Sequence, residues 1–247
     1  MINSMNLPVR KLTISIVSHG QSHLISNLLH DLAKLRGESF EVILTINIPE
    51  NELLYQDFKF PLRIIRNNYP KGFGENHNVA FEQSTADYFS VVNPDIRIAS
   101  LNIAALTEPF KSGNVGAVAP LVLSPEGKIE DSARQFPTIP KLLKRILLGI
   151  RKSEYELKSE PLQVDWVAGM FIVFDRRVFQ AVGGFDSDRF FMYYEDVDIC
   201  RRIGIKGWKV IVNPSVSVVH LAQRASRKNL RHMRWHIVSA FRFLTGL

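Results

Sequence analysis

The first residues of this sequence that could do chemistry lie in the stretch VVNPD at positions 91–95, where a carboxylate follows an apolar run. Pro94 restricts the turn, so we expect the Asp95 side chain to project beyond the end of a buried strand. A carboxylate in that position can hold Mg²⁺ or Mn²⁺ together with the phosphates of a ligand, because these hard cations need few protein ligands. The alternative interpretation is an ordinary Asx-type turn residue.

A second acidic group, Glu195-Asp196, directly follows the aromatic run FFMYY at 190–194. Carboxylates are favoured at the start of a helix by the helix dipole and the free N–H groups, and this capping role is our interpretation of Asp198. Aromatic walls beside carboxylates also suit a sugar or another flat ligand held next to a general base. For Glu195 and Asp196 both interpretations stay open at this point.

Two weaker signals are a glycine pair and a histidine. Gly72 and Gly74 precede a predicted helix and would let a ligand approach the backbone closely, although a plain strand-to-helix loop has the same pattern. The loop matches neither a Walker loop nor the dinucleotide fingerprint. His220 ends an apolar strand and could bind a metal, but no second histidine lies at zinc-binding spacing from it, and a structural role is the alternative.

Alternating strand and helix patterns would bring these residues together. Apolar runs predict strands at 12–20, 40–48, 62–68 and 88–95, and helical spacing predicts helices at 21–36 and 75–84. Such alternation indicates a parallel sheet with helices on both faces, whose ligand crevice lies at the carboxyl ends of the strands. The polar residues at those ends are Ser18, His19, Asn47, Asn67, Asn68, Asn93 and Asp95.

The second half of the chain has a different pattern. We predict a strand, a turn and an extended piece over 115–136, a long strand over 164–175, a short helix over 176–182, a helix around the acids within 190–207 and a strand over 208–220. Two segments without acidic residues, 141–152 and 228–245, predict basic amphipathic helices. The predicted apolar face of the second helix consists of Leu230, Met233, Ile237, Phe241 and Leu244.

Composition limits the classes of protein and partner. The chain has 247 residues, of which 46% are hydrophobic and 22% charged, as in soluble globular proteins. The single cysteine excludes a disulfide framework and a Cys-rich zinc site. No apolar run reaches the ~20 residues that a membrane-spanning helix needs. We also expect no signal peptide. Residues 141–153 and 219–247 hold 11 of the 31 basic residues and no acid, which leaves 20 basic against 24 acidic residues elsewhere. Basic residues interleaved with apolar ones suit an anionic membrane surface better than nucleic acid, so we expect no nucleic-acid partner.

In order and spacing, these motifs resemble the family 2 glycosyltransferases with the GT-A fold, especially their rhamnosyltransferase-like branch. The motifs are SIVSHG, RNNYPKGFGENHNVAFEQSTADYFSVVNPDI, WVAGM, GGFDSDRFFMYYEDVDICRR and VVH, and the resemblance extends from Thr13 to about Phe243. It implies an α/β fold with a mostly parallel nucleotide-binding sheet flanked by helices, a smaller mixed part on the acceptor side and a C-terminal amphipathic helix. It also implies a single domain over 1–247, with a nucleotide-sugar-binding half (1–115), an acceptor and catalytic half (116–226) and a basic C-terminal helix (227–247).

The resemblance also implies a role for each matching residue. Asp95 would bind the divalent metal and the donor diphosphate, and His220 would complete the metal shell. Asp196 would be the catalytic base, with Glu195 beside the acceptor. The remaining donor-binding residues would be Ser18, His19, Asn47, Gly72, Gly74, Asn78, Asn93 and Gly169, and the remaining acceptor-binding residues Trp166 and Tyr194. Family members usually carry an acid near the end of the second strand for the nucleotide, whereas this strand reads LTIN at 44–47, which leaves the nucleotide contact open.

The implied function is inverting transfer of a sugar from a nucleotide-diphosphate donor to a hydroxyl of a glycan or lipid-linked acceptor, in cell-surface polysaccharide and cell-wall synthesis. Rhamnose would be the sugar by analogy with the branch, and Mg²⁺ or Mn²⁺ the cofactor. We expect a cytoplasmic protein, held at the inner face of the cell membrane if the basic helices bind anionic lipid; alternatively, the tail helix packs on the body with its basic face in water.

Two other functions stay open. One is a catalytically inactive glycosyltransferase-like binding module, which the single acid at position 95 and the missing acid near Asn47 favour, and which the intact Glu195-Asp196 pair and His220 oppose. The other is a sugar-nucleotide pyrophosphorylase, which would need an N-terminal Gly-rich loop with a basic residue to bind a triphosphate. The stretch SIVSHGQSHL contains no such loop.

Overall fold

The computed structural model describes residues 11–56, 58–141, 144, 153–221 and 230–246. The predicted basic helix over 141–152 therefore lies almost entirely outside the described residues. No helix in the described ranges is both long enough and apolar enough to cross a bilayer.

The first half of the chain folds as its strand and helix alternation predicts. Its elements are β1 (Leu12–Ser18), α1 (Ser22–Ala33), β2 (Phe40–Ile46), a 3-10 helix (Glu52–Tyr55), β3 (Leu62–Arg66), α2 (Phe73–Glu82) and β4 (Tyr88–Val92). The four strands pair in parallel in the order β3-β2-β1-β4. Almost every position of β1 and β2 is buried, including the polar residues Thr13, Ser15, Glu41 and Thr45, so both faces of these strands are covered.

The second half extends the same sheet with strands of both directions. Its elements are β5 (Ile96–Arg97), α3 (Ile103–Thr107), a 3-10 helix (Glu108–Ser112), β6 (Val115–Leu123), β7 (Ala133–Arg134), β8 (Leu162–Val164), β9 (Trp166–Val167), β10 (Phe171–Asp175), α4 (Arg176–Ala181), α5 (Glu195–Ile205), β11 (Lys209–His220) and α6 (Leu230–Thr245). β10 runs antiparallel between β4 and β6, β11 runs parallel to β6, and β5 and β8 pair antiparallel with β11. The described residues thus form one nine-stranded sheet, parallel in its first half and mixed in its second, which confirms the predicted fold class.

The prediction of one continuous strand over 164–175 is wrong. This segment is divided among β8, β9 and β10, and β9 leaves the main sheet to pair with β7. Residues 168–170 interrupt the strand. There the Ala168 N–H donates to the Ser132 carbonyl (2.8 Å), and the Gly169 N–H donates to the Asp196 carboxylate (2.9 Å). Backbone donors that a regular strand would use for its neighbour are therefore turned toward the candidate site.

The C-terminal helix is confirmed as α6, but it packs on the body through a face that differs from the predicted one. Phe243 and Ser239 are buried, and Phe243 joins a cluster with residues of the aromatic run before α5. Three members of the predicted apolar face remain in water, with Met233 56% exposed, Ile237 61% and Phe241 57%. Ser239 and Phe243 thus face the body, and Leu244 of the predicted face packs against the same cluster, whereas Met233, Ile237 and Phe241 point away from it.

Candidate active site

The pairing of β5 with β11 brings Asp95 and His220 together. His220 lies opposite Ile96 in the ladder, so the residue before Ile96 lies beside the imidazole. His220 Nε2 is 3.2 Å from Asp95 Oδ2, and His220 Nδ1 is 2.8 Å from Glu130 Oε2. The sequence analysis paired Asp95 with His220 but did not identify Glu130, which follows β6 in a turn without a periodic pattern.

The two carboxylates determine the charge of this histidine. Burial alone lowers the pKa of His220, but the hydrogen bonds to Asp95 and Glu130 outweigh burial and raise that pKa to about 9. At neutral pH the imidazole is therefore protonated and bridges the two acids.

The same group has the composition of an incomplete cation site. Asp95 Oδ1 is buried and has no hydrogen-bond partner, which is costly for a carboxylate oxygen unless a ligand supplies one. In the described ranges no cluster of three or more ligating side chains forms a complete metal centre. Asp95 and His220 thus fit a cation whose remaining ligands would be phosphate oxygens, since Mg²⁺ is usually bound through one or two carboxylates plus substrate phosphates.

The second acidic group lies at the start of α5. Asp196 Oδ2 accepts the Gly169 N–H (2.9 Å), and its Oδ1 accepts the Val197 N–H (2.8 Å). Glu195 is only 6% exposed, and its Oε2 has no hydrogen-bond partner. Asp198, for which we predicted capping, instead forms a buried ion pair with Arg202 (2.7 Å).

Different surroundings act on the pKa values of Glu195 and Asp196. Burial, and then the neighbouring charge of Asp196, raise the pKa of Glu195 well above its ordinary value of 4.5. Burial also raises the pKa of Asp196, but the N–H groups of Gly169 and Val197 and the charge of Arg134 oppose this rise. Burial and the neighbouring charge thus disfavour the charged form of Glu195, whereas the N–H donors and Arg134 favour the charged form of Asp196, as a base in this position requires.

A short series of backbone contacts links the two acidic groups. The Asn93 N–H, two residues before Asp95, donates to the Met170 carbonyl (2.8 Å). Met170 follows Gly169, whose N–H donates to Asp196. The sequence analysis assigned Asp95 and Asp196 to one site. The irregular segment 168–170, between β9 and β10, contacts both the loop before Asp95 and the carboxylate of Asp196.

Residues 130–134 form a second link, and the sequence analysis missed them. Glu130 bonds His220 at one end, Ser132 accepts from Ala168 in the middle, and Arg134 lies at the other end with its charge acting on Asp196. Arg134 also pairs with Asp131 (2.9 Å). The only signal available in the sequence was the clustering of charge in KIEDSAR, because β7 is too short to show periodicity.

Of the predicted donor residues, Asn47 and His19 lie together at the ends of β2 and β1. Asn47 Oδ1 accepts from the Lys71 N–H (2.8 Å) and from Asn67 Nδ2 (2.9 Å), while its Nδ2 is 3.0 Å from His19 Nδ1. The buried Asn47 amide therefore fixes the loop that leads to Gly72. A contact of either residue with the donor stays a prediction.

An acid that the sequence analysis did not consider, Glu50, lies a few residues beyond the end of β2. Glu50 Oε2 accepts from Ser18 Oγ (2.7 Å), and its Oε1 accepts from the Tyr55 hydroxyl (2.8 Å). The hydroxyl of Ser18 thus connects the end of β1 to a carboxylate four positions beyond the last residue of β2. The sequence analysis stopped at Asn47 and did not consider this turn.

The glycines before and within α2 lie close to other segments of the protein, and their contact with the donor stays a prediction. A Cβ on Gly72 would lie 2.5 Å from the Phe191 carbonyl oxygen, and one on Gly74 would lie 2.7 Å from Phe185 Cβ. Asn78 is used in the same way, because its amide donates to the Phe185 carbonyl (2.8 Å) and accepts from the Phe185 N–H (2.9 Å). These residues hold α2 against the segment that leads to Asp196.

Two of the predicted acceptor residues, Trp166 and Tyr194, have different surroundings. Trp166 is half-buried on β9, donates to the Gln135 carbonyl (2.9 Å) and lies 5.8 Å from the Arg134 guanidinium. Tyr194 is only 7% exposed, and its ring packs against Phe243 of α6. Tyr194 thus supports the loop before α5, and its contact with the acceptor stays a prediction.

Comparison with known proteins identifies the family. A family profile described as "Glycosyltransferase like family 2" matches residues 10–237. The chain belongs to glycosyltransferase family 2. Rhamnosyltransferase WbbL of Escherichia coli K12 is 29% identical over 252 residues, covering 94% of this chain and 91% of the relative. An N-acetylglucosaminyl-diphospho-decaprenol L-rhamnosyltransferase of Mycobacterium tuberculosis is 33% identical over 184 residues, covering 69% of this chain and 59% of that relative.

Solved glycosyltransferases have the same fold. GalNAc-T7 with UDP, GalNAc and Mn²⁺ matches 86% of this family 2 chain and 44% of its own, with a TM-score of 0.66 and 17% identity. The Pyrobaculum calidifontis mannosyltransferase PcManGT, with GDP-Man and Mn²⁺, matches 95% of this chain and 65% of its own, with a TM-score of 0.62 and 17% identity. At these identities the likeness concerns the fold, which is GT-A.

Proposed function

We propose that this family 2 glycosyltransferase transfers a sugar, with inversion, from a nucleotide-diphosphate donor to a hydroxyl of a glycan or lipid-linked acceptor in cell-surface polysaccharide synthesis. The observation that carries the proposal is the link from Asp95 through Asn93 and Gly169 to Asp196, which combines a phosphate-side acid and a charged base in one site. Two relatives named rhamnosyltransferases support rhamnose as the sugar.

Asp196 acts as the general base in this proposal. Its carboxylate is oriented by the N–H groups of Gly169 and Val197, and it would take the proton of the acceptor hydroxyl as that oxygen attacks the anomeric carbon. Attack from the face opposite the departing diphosphate inverts the configuration and needs no covalent intermediate. A positioned base of this kind contributes roughly 10²–10⁴-fold to the rate. Glu195, whose Oε2 has no hydrogen-bond partner and whose pKa is raised by burial, would contact the acceptor beside this base.

Asp95 and His220 would hold the divalent cation. When bound, Mg²⁺ or Mn²⁺ would neutralise the charge that develops on the departing diphosphate. His220 would first release the proton that it holds between Asp95 and Glu130, since only the neutral imidazole can bind a metal. The two solved neighbours that contain Mn²⁺ support this assignment.

The two halves of the chain have different roles in this proposal. We assign donor binding to 1–115, with Glu50 in place of the acid that the family carries near the second strand, and acceptor binding to 116–226, with Trp166 as a wall beside Asp196. We also assign the protein to the cytoplasmic face of the membrane, with the 227–247 segment at the lipid surface. The exposed apolar residues of α6 support this location.

The test is mass spectrometry of the products formed from a panel of nucleotide sugars, offered with lipid-linked acceptors and Mn²⁺. We expect one donor to give a glycosylated acceptor, and Asp196→Asn to reduce the rate by roughly 10²–10⁴-fold while donor binding persists. Asp188→Asn is the matched control, because this exposed carboxylate lies on the segment before the same helix. Absence of turnover with every donor would favour the inactive binding module, and near-normal turnover of Asp196→Asn would remove the base assignment.

A further inference from the structure

The inner face of α6 holds the loop that precedes the catalytic pair. We call residues 189–194 the site loop. Ser239 Oγ donates to the Met192 carbonyl (2.9 Å), Arg242 Nη1 donates to the Arg189 carbonyl (2.6 Å), and Arg189 Nη2 donates back to the Arg242 carbonyl (2.9 Å). The helix thus binds the backbone of the site loop at two points, in addition to the packing of its aromatic residues.

The opposite side of the site loop contacts the start of α2. The Phe73 N–H donates to the Phe191 carbonyl (3.1 Å), and Gly72 leaves room for this approach. The loop therefore lies between the donor-side helix α2 and the C-terminal helix α6. Its last residue directly precedes Glu195 and Asp196, so any movement of the loop is passed to the base.

The site loop has a strained backbone that needs support from its neighbours. Tyr193 and Tyr194 have φ angles of 70° and 68°, and among the described residues they are the non-glycine residues with positive φ. Such a conformation costs about 1–3 kcal/mol per residue and persists only where the surroundings impose it. Both tyrosines contact α6, Tyr193 through a hydrogen bond to His232 (2.9 Å) and Tyr194 through the ring of Phe243.

The outer side of α6 carries an apolar stripe with positive charge beside it. We call Met233, Ile237 and Phe241 the outer stripe; they are spaced four residues apart, and each is more than half exposed. Helical spacing places Arg234 next to the stripe. The helix contains three arginines and no acidic residue. An apolar stripe bordered by arginine is complementary to an anionic lipid bilayer, in which the apolar side chains enter the interface and the guanidinium meets the headgroups.

We propose that α6 is the positioning element of Asp196 and that its binding to an anionic bilayer stabilises the site loop, so that the enzyme is most active at the lipid surface. This inference rests on the proposed function, because it names how the same site is regulated. One helix carries both contacts: the inner face imposes the strained loop, and the outer stripe binds lipid. A bilayer that binds α6 only when the helix is docked on the body shifts the population toward the docked state.

Two measurements separate lipid binding from activity. Vesicle flotation with phosphatidylcholine alone, and with added phosphatidylglycerol, measures binding, and amide hydrogen exchange of residues 189–194 measures the order of the site loop. Hydrolysis of dTDP-rhamnose with water as acceptor measures turnover. We expect anionic vesicles, but not neutral ones, to float the protein, increase protection of the site loop and raise turnover several-fold.

Two variants test the two faces of the helix. The triple change Met233→Gln, Ile237→Gln and Phe241→Gln should abolish flotation and stimulation but leave lipid-free turnover unchanged, because these side chains are largely in water. Ser239→Ala should still float, but it should lose protection of the site loop and lower kcat several-fold with little change in KM for the donor. A merely structural role for Ser239 would lower the amount of folded protein without this kcat-against-KM split.

Each failure has a separate meaning. No flotation of the wild-type protein on anionic vesicles overturns the lipid partner, and flotation without a change in exchange or turnover overturns the coupling. Unchanged exchange and kcat in Ser239→Ala overturn the positioning role. If dTDP-rhamnose and every other donor give no turnover, the proposed function fails, whereas flotation and exchange still decide whether α6 binds lipid and orders the loop.

Discussion

Replacement of Gly72 by alanine is the most direct test of the contact between the donor-side helix and the site loop. The backbone at Gly72 has φ −68° and ψ 166°, which alanine adopts without strain, so any effect arises from the added methyl group. That Cβ would lie 2.5 Å from the Phe191 carbonyl oxygen, whereas ordinary contact begins at 3.4 Å, so the two segments must separate by roughly 0.9 Å.

The cost has two parts. Overpacking of a filled site costs roughly 1–3 kcal/mol, and weakening of the hydrogen bond from Phe73 to Phe191 adds about 1 kcal/mol. For a chain of this size the sum lowers Tm by roughly 5–15 °C. Because the displaced loop carries Asp196, we also expect kcat to fall by roughly 10–100-fold at a temperature where the variant is fully folded, since a displacement near 1 Å can have that effect.

Gly204→Ala is the matched control, because Gly204 lies on the same helix as Asp196, is exposed, and has no atoms near the position of a Cβ. Alanine there should raise stability by roughly 0.5–1 kcal/mol and leave kcat unchanged. Thermal unfolding by circular dichroism and initial rates of donor turnover give both quantities. A Gly72→Ala variant with wild-type Tm would refute the close approach to Phe191, and a lowered Tm with unchanged kcat would refute the link from this contact to the base.

Three further changes test individual carboxylates. Asp95→Asn should reduce the affinity for dTDP-rhamnose in Mn²⁺ to that of the wild type in EDTA, as measured by calorimetry; a variant that retains metal-dependent affinity would contradict the cation role. Glu195→Gln should keep turnover within a few-fold at pH 7, because glutamine is also an uncharged donor and burial disfavours the charged form of Glu195. Because the pKa of Glu195 is raised in the folded state, wild-type stability falls as pH rises above the ordinary value of 4.5, whereas Glu195→Gln loses none of its stability in this way. The difference in Tm between Glu195→Gln and the wild type should therefore grow with pH. A difference in Tm that stays constant across pH would argue against the raised pKa. Glu50→Gln should weaken donor binding by roughly 10-fold, with Tyr55→Phe as the control, and equal affinities in the two variants would remove Glu50 from the nucleotide site.

The parallel half of the fold could be predicted because its strands are buried on both faces. In the run LTISIVS the apolar residues alternate with Thr and Ser, yet six of its seven positions are buried, and the polar residues at its end mark the carboxyl edge of the sheet. The proximity of Asp95 to His220 came from the family resemblance, and the antiparallel pairing of β5 with β11 is the structural cause. The sequence predicts neither β5 nor its pairing with β11, because a two-residue strand is too short to show hydrophobic periodicity.

Contacts between distant segments could not be predicted in the same way. The glycines of KGFG were read as places where a ligand approaches the backbone, but the neighbours that the structure shows are Phe191 beside Gly72 and Phe185 beside Gly74, 119 and 111 positions further along the chain. Glu130 and Arg134 were missed because their segment leaves the main sheet and is ordered by hydrogen bonds to the break at 168–170. In both cases the local sequence shows only that a close contact is possible or that a charge is present. The tertiary fold determines which distant residue makes the contact.

Helix α6 shows why amphipathicity did not identify the face that packs on the body. Periodicity found the residues with the largest apolar side chains, and burial of such residues is the usual reason for an apolar stripe. Here the body instead accepts Ser239, Phe243 and the carbonyl contact of Arg242, because the site loop offers backbone acceptors that polar side chains must satisfy. The outer stripe is consequently not needed to hold the helix in place. Its pattern therefore leaves room for a second environment, and the positive charge beside it is the reason why we propose anionic lipid rather than a neutral protein surface.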